Sequence, residues 1–172
     1  MRPAFVLVLA ALAVTLLPQP AGASGGPAWR SWDAGLREAG TSGRPMLVDV
    51  YTNWCGWCRR LDQDVYARAD VQDYLARKFV SVKLDAEGRE TASYQGKAYT
   101  SRTLAARLDV TGYPTILFFS AKGAYLGGVA RYVSPEEMLL LLRYVGDGHA
   151  ERGETFEQFK RGAQAAATRP RR

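Results

Sequence analysis

The chain predicts an α/β domain with a central mixed β-sheet flanked by helices, and two patterns carry that prediction. An apolar run at Met46 to Thr52 is followed by a helical stretch and a second apolar run, Phe79 to Leu84. Strand, helix, strand in that order implies parallel pairing. Further on, Thr115 to Phe119 and Tyr125 to Arg131 are joined by Ala121-Lys122-Gly123, and two apolar runs so closely spaced form an antiparallel hairpin. A sheet that holds both kinds of pair is mixed.

Taken in order, Met1-Arg2, the apolar run Ala4 to Leu17, Pro18, Pro20 and Ala21-Gly22-Ala23 have the layout of a secretory signal peptide. The run is shorter than the roughly 20 residues that a membrane span needs. Cleavage is therefore expected after Ala23, sending a product that begins at Ser24 to a periplasmic or secreted location. What is left, about 150 residues, suffices for one domain with a sizeable core. Residues 24–45 supply a lead helix, Trp29 to Ala39, and the turn Thr41-Ser42-Gly43-Arg44-Pro45 into the first strand. Residues 46–146 form the domain proper.

Within that domain, a helix begins near Cys55. Asp70 caps a further turn with Val71, Tyr74 and Leu75 on one face. Residues 86–103 are rich in Gly, Ser, Thr and charge and read as a long insertion outside the core, of the kind that is usually functional or mobile. A helix from Ser101 to Leu108 leads to Gly112-Tyr113-Pro114 and the hairpin. Ser134-Pro135-Glu136-Glu137 opens the last core helix with a cap, a first-turn proline and early acids, and Met138 to Val145 gives its apolar face. Residues 147–172 are a C-terminal extension, in which Glu154, Phe156, Phe159 and Lys160 suggest one short amphipathic helix. His149 reads as a solvated loop residue and is assigned no role.

The chemistry concentrates in Trp54-Cys55-Gly56-Trp57-Cys58, which holds the only two cysteines of the chain. Residues i and i+3 of a helix face the same way with β-carbons about 5 to 6 Å apart, a separation that a disulfide tolerates with modest adjustment. At a helix start, Cys55 meets unpaired N–H groups and the positive end of the helix dipole, which stabilise a thiolate. Such placement brings a cysteine pKa from about 8.5 to roughly 3.5–7.5, and Arg59 and Arg60 add positive charge. Cys55 is thus the expected nucleophile and Cys58, one turn further in, the shielded resolving thiol. As a structural staple the pair would close a loop of about four residues, worth only roughly 2 kcal/mol. A zinc site needs about four ligands, and the single histidine lies far away in sequence, so no metal is expected.

The formal charge of +6 falls to +5 with the loss of Arg2. Its lysines and arginines are spread along the chain apart from Arg169-Pro170-Arg171-Arg172, and such an end is more often a solvated tail than a nucleic-acid patch. No nucleic-acid partner and a monomeric state are expected.

With these elements in order, the chain resembles the thioredoxin family over Met46 to Gly146. Asp49, six residues before Cys55, matches the buried aspartate of that family. Lys83 matches the lysine that pairs with it, and Gly112-Tyr113-Pro114-Thr115 matches the segment whose proline is cis and lies against the cysteines. The resemblance implies a thioredoxin-like fold with an insertion before the cis-proline segment and a dithiol–disulfide exchange activity that needs no cofactor. It also implies that Asp49 manages the proton of Cys58.

Physically, a carboxylate in an apolar strand is costly to bury ionised, so its pKa should rise toward that of a useful proton acceptor. A simple ion pair with Lys83 is the alternative. Gly56, Tyr113 and Thr115, with Trp54 and Trp57, are the expected partner-contacting residues. The two indoles could equally pack in the core, with docking favoured for Trp57. Gly56-Trp57 departs from the Gly-Pro of ordinary thioredoxins and no histidine stands there. The reduction potential is therefore open over about 150 mV, or roughly 7 kcal/mol.

The remaining motif residues look most like exported reducing members, such as the C-terminal domain of DsbD-type membrane thiol reductases and SoxW-like periplasmic thioredoxins. That likeness implies a reductase of partner-protein disulfides, fed by a membrane thiol donor, with the insertion as a partner-selecting loop. An oxidant or isomerase of exported proteins is the alternative within the same chemistry. A non-catalytic binding module on the same fold is the alternative from another class.

Overall fold

A computed structural model describes residues 26–167, so the expected signal segment lies outside the described residues. The elements are α1 (Trp32–Ser42), β1 (Met46–Tyr51), α2 (Gly56–Leu61) running into a π-helical turn (Asp62–Tyr66), α3 (Ala69–Lys78), β2 (Val80–Asp85), β3 (Thr91–Tyr94), β4 (Lys97–Thr100), α4 (Ser101–Arg107), β5 (Thr115–Phe119), β6 (Tyr125–Val129), α5 (Pro135–Gly146) and α6 (Phe156–Ala167). The main sheet runs β2-β1-β5-β6. Its β1–β2 pair is parallel and its other two pairs are antiparallel, so the sheet is mixed as expected.

Alternation along β1 divides the core. Met46, Val48 and Val50 join Val82, Leu84, Leu117 and Phe119 in a cluster that includes Trp32 of α1 and Leu104 of α4. Leu47 and Ile116 join Leu61, Val65, Tyr66, Leu75, Met138 and Leu142 on the other face. With a side-chain period of two, Asp49 lies on the second face with Leu47. The parallel register sets Lys83 opposite it.

Four sequence expectations are corrected. The insertion at residues 86–103 is no plain excursion: it contains the β3–β4 hairpin, closed by Gln95 and Gly96, both at positive φ. That turn fits a two-residue hairpin loop, but glutamine in place of the usual Asn or Asp hid it. Ala92 and Tyr94 point into the core. The Trp32 indole donates to the Ser93 carbonyl, and the Asp33 carboxylate accepts from the Ser93 N–H at 2.7 Å.

The lead helix starts at Trp32 rather than Trp29, because Ser31 is extended and caps it. Arg30 forms an isolated parallel bridge to Val82, which leaves Trp29 free to cover the other face. Asp70 lies inside the first turn of α3, whose N-cap is Arg68, and binds that guanidinium at 2.8 Å.

His149 is half-buried rather than a free loop residue. Its Nδ1 stands 2.6 Å from Glu154 and its ring 4.6 Å from that of Phe159. This contact, with Phe156 and Phe159 against Tyr144, fixes α6 on α5.

Candidate active site

β1 ends in a turn in which the Cys55 N–H donates to the Thr52 carbonyl at 3.1 Å. Cys55 then caps α2 from an extended backbone, and its Sγ accepts the Cys58 N–H at 3.1 Å. A sulfur in that position takes the place of a capping oxygen, so the unpaired N–H groups of the helix start face it. The two residues are joined by a disulfide across a Cα–Cα distance of 5.3 Å, ordinary for such a bond. Burial hardly separates them, with Cys55 at 4% exposure and Cys58 at 2%. What distinguishes Cys55 is its place at the helix start. The Arg59 guanidinium reaches back to the Asn53 carbonyl at 3.2 Å, which keeps its charge beside the turn.

Beneath the turn lies a charged cluster. Asp49 is fully buried, and Lys83 Nζ stands 2.8 Å from its Oδ2. The directed hydrogen bond of Lys83, however, goes to Asp62 Oδ1 at 2.7 Å, and neither Asp49 oxygen receives one. Lys83 is therefore shared, and Asp49 is only partly compensated. Burial pushes the Asp49 carboxyl up to about 6 against the pull of Lys83. Burial also works against the Lys83 ammonium, but the two carboxylates outweigh it and hold its pKa above the lysine range.

Aromatic rings enclose this ammonium, with Trp29 and Tyr51 each 5.0 Å away and Tyr66 at 5.8 Å. The buried Tyr66 hydroxyl is unpartnered, and burial with two nearby carboxylates pushes its pKa well above 10. The chain Asp62–Lys83–Asp49 ties the helical segment that carries the cysteines to the parallel pair β1 and β2.

Above the turn the surface is open. Trp54 is 65% exposed and Trp57 57%, so neither is a core side chain. The Tyr113–Pro114 peptide bond is cis, and Thr115 Oγ1 donates to the Gly112 carbonyl at 2.7 Å within the same loop. Tyr113 meets Trp54 edge to face at 5.9 Å. All the expected site residues except Lys83 and Asp49 thus belong to the cysteine turn or to the loop joined to it.

Sequence reading missed Asp62, Tyr66 and Trp29. Asp62 was findable, since it stands one helical turn past Cys58; the others are brought in by tertiary contacts alone. Among the described residues, no group of three or more His, Cys, Asp or Glu side chains could hold a metal.

A family model described as a thioredoxin-like domain matches residues 32–146. The chain belongs to the thioredoxin-like family. Its match to the thiol:disulfide interchange protein DsbD of Klebsiella pneumoniae is 28% identical over 137 residues, covering 72% of this chain and 21% of DsbD. Protein disulfide-isomerase erp38 of Neurospora crassa is 32% identical over 91 residues, covering 51% of this chain and 21% of erp38. The chain thus spans about a fifth of the length of these curated relatives.

A solved thioredoxin-fold protein from Helicobacter pylori superposes with a TM-score of 0.63 at 19% identity, covering 72% of this chain and 82% of that one. Family membership and a bridged cysteine pair at a helix start make this thioredoxin-like protein a thiol-disulfide oxidoreductase. No helix among the described residues is long and apolar enough to cross a membrane.

Proposed function

We propose that the protein is an exported, periplasmic reductase of disulfides in partner proteins. Cys55 attacks the partner disulfide and forms a mixed disulfide, releasing one partner sulfur as a thiol. Cys58 then displaces the second partner sulfur and closes the Cys55–Cys58 bond, so that two electrons pass to the partner. Asp49, with a pKa near 6, takes the proton from Cys58 as it becomes the attacking thiolate. Lys83 holds that carboxylate, and Pro114 with Tyr113 and Thr115 shapes the partner's seat beside Gly56.

The observation that carries the reading is the Cys58 N–H donated to Cys55 Sγ at the head of α2, which supports Cys55 as the sulfur best placed to be held as a thiolate once the bond is reduced. The charged and apolar pattern of residues 1–23 supports export, and the likeness to DsbD supports a membrane thiol donor. The erp38 likeness supports the second reading, an oxidant or isomerase.

The deciding measurement is the reduction potential of the cysteine pair in glutathione or dithiothreitol buffers. A value near the −270 mV of thioredoxin supports the reductase, and a value near −120 mV overturns it in favour of an oxidant.

A further inference from the structure

Trp54, Trp57 and Tyr125 are the large hydrophobic side chains left exposed among the described residues, and two of the three immediately flank the Cys55-Gly56 step. The two indoles have different neighbours. Trp54 leans on Tyr113 and donates its Nε1–H to Glu87 Oε1 at 3.1 Å. Trp57 packs on Tyr132 at 5.6 Å and carries the Arg60 guanidinium 5.7 Å from its ring centre.

Glu87 belongs to the turn that leads from β2 into the β3–β4 hairpin, so the hairpin segment supplies the anionic end. Arg60 comes from the cysteine helix itself. Its contact with Asp64 at 3.2 Å is an exposed pair, of the kind that contributes little, while Arg59 turns back to the Asn53 carbonyl and lies between the two indoles. The two indoles that flank the cysteine turn thus carry an acid at the Trp54 end and a base at the Trp57 end.

Exposed tryptophans are the side chains most often found to anchor interfaces. Charges at the rim of an interface chiefly set the association rate and the choice of partner. We propose that this rim is a dipolar docking surface for an extended segment of a partner protein. The segment carries a cationic residue on the Glu87 side of its disulfide and an anionic residue on the Arg60 side. The proposal rests on the reading of the protein as a reductant of protein disulfides.

The test uses two end-blocked peptides of one composition, Lys-Lys-Cys-Glu-Glu and Glu-Glu-Cys-Lys-Lys, each as a mixed disulfide with thionitrobenzoate. Cys55 attacks the peptide sulfur and expels thionitrobenzoate as a coloured thiolate. Cys58 then releases the peptide thiol, so that the protein dithiol is oxidised and the probe disulfide reduced. At about 0.01 M salt the two rate constants should differ by at least threefold, and the ratio should fall toward one at about 1 M, where screening acts within some 3 Å.

In the variant with Glu87→Lys and Arg60→Glu together the preference should invert. A ratio within one protein cancels any change in thiol reactivity. Equal rates at low salt, or a preference that survives high salt or the charge swap, overturn the dipolar rim. Reduction of neutral hydroxyethyl disulfide by the same preparation shows that such a result condemns the rim alone. If none of the three disulfides is reduced, the reductive reading falls and the rim with it.

Discussion

Asp49 and Glu87 mark two regions around the cysteine turn that are held by opposite means. Asp49 is sealed under the sheet face against Lys83, whose ammonium Asp62 also pairs from the exposed side, and low dielectric makes the buried charge costly alone and strong in company. Glu87 stands in solvent and binds one indole N–H. The buried region is over-determined, because strand register, helix position and aromatic cover all fix the same ammonium. The open region is held by single contacts. Groups that manage protons need a fixed setting, whereas groups that meet partners keep freedom to adapt, and changes in the two regions should read out differently.

The largest effect belongs to the turn that joins the regions. Cys55→Ser should abolish turnover with insulin as substrate, and Cys58→Ser should leave a long-lived mixed disulfide visible as a higher-mass species on non-reducing gels. A Cys58→Ser protein that turns over like the wild type would remove the resolving role.

Next comes Lys83→Met, which strips the buried carboxylate of its counter-charge. Breaking a buried pair in this way costs about 3–5 kcal/mol. Because Asp49 can protonate instead, the loss in urea unfolding should be larger at pH 8 than at pH 5, and an equal loss at both would break the comparison.

Asp49 itself gives a smaller effect of opposite sign. Its carboxyl is raised from 3.8 to about 6 in the folded protein, so the folded state holds the proton more tightly than the unfolded chain. Its contribution to stability is fully present below pH 3.8 and is lost as the pH rises through about 6. At 1.36 kcal/mol per pKa unit the gap is worth up to about 3 kcal/mol. Asp49→Asn should therefore be more stable than the wild type at pH 8 and lose that advantage toward pH 4, while its exchange rate falls. The pH dependence of unfolding of the two proteins checks the sign.

The smallest effect on stability is expected in the open region. Trp57→Ala should shift unfolding by no more than about 0.5 kcal/mol, as for a surface change, yet raise KM for a protein disulfide.

Much of this was legible in the chain. The cysteine turn and the Thr115–Phe119 strand were written in apolar runs and motif spacing, since each depends on residues close in sequence, whereas the pairing of Asp49 with Lys83 came from the family resemblance. Trp29 and Tyr66 were not legible, because one reaches Lys83 only when the stretch before α1 pairs with β2 and the other only when the turn after α2 packs beneath the sheet. The β3–β4 hairpin escaped for another reason: four-residue strands with one buried face offer only Ala92 and Tyr94 as apolar signal, and Lys97 to Thr100 offers less.

The opposition of Asp49 and Lys83 across β1 and β2 also bears on how the chain finds its own pairing. A slip of one residue between these strands would turn every side chain of the slipped strand to the other face. Lys83 would then enter the layer of Trp32, Val48 and Phe119, and Asp49 would be left without a cation. Val80, Val82 and Leu84 would leave that layer at the same time, giving up the apolar contacts that they make there. The pair of opposite charges and the apolar alternation of β2 thus specify the same alignment twice over, once through what a slip would bury and once through what it would expose.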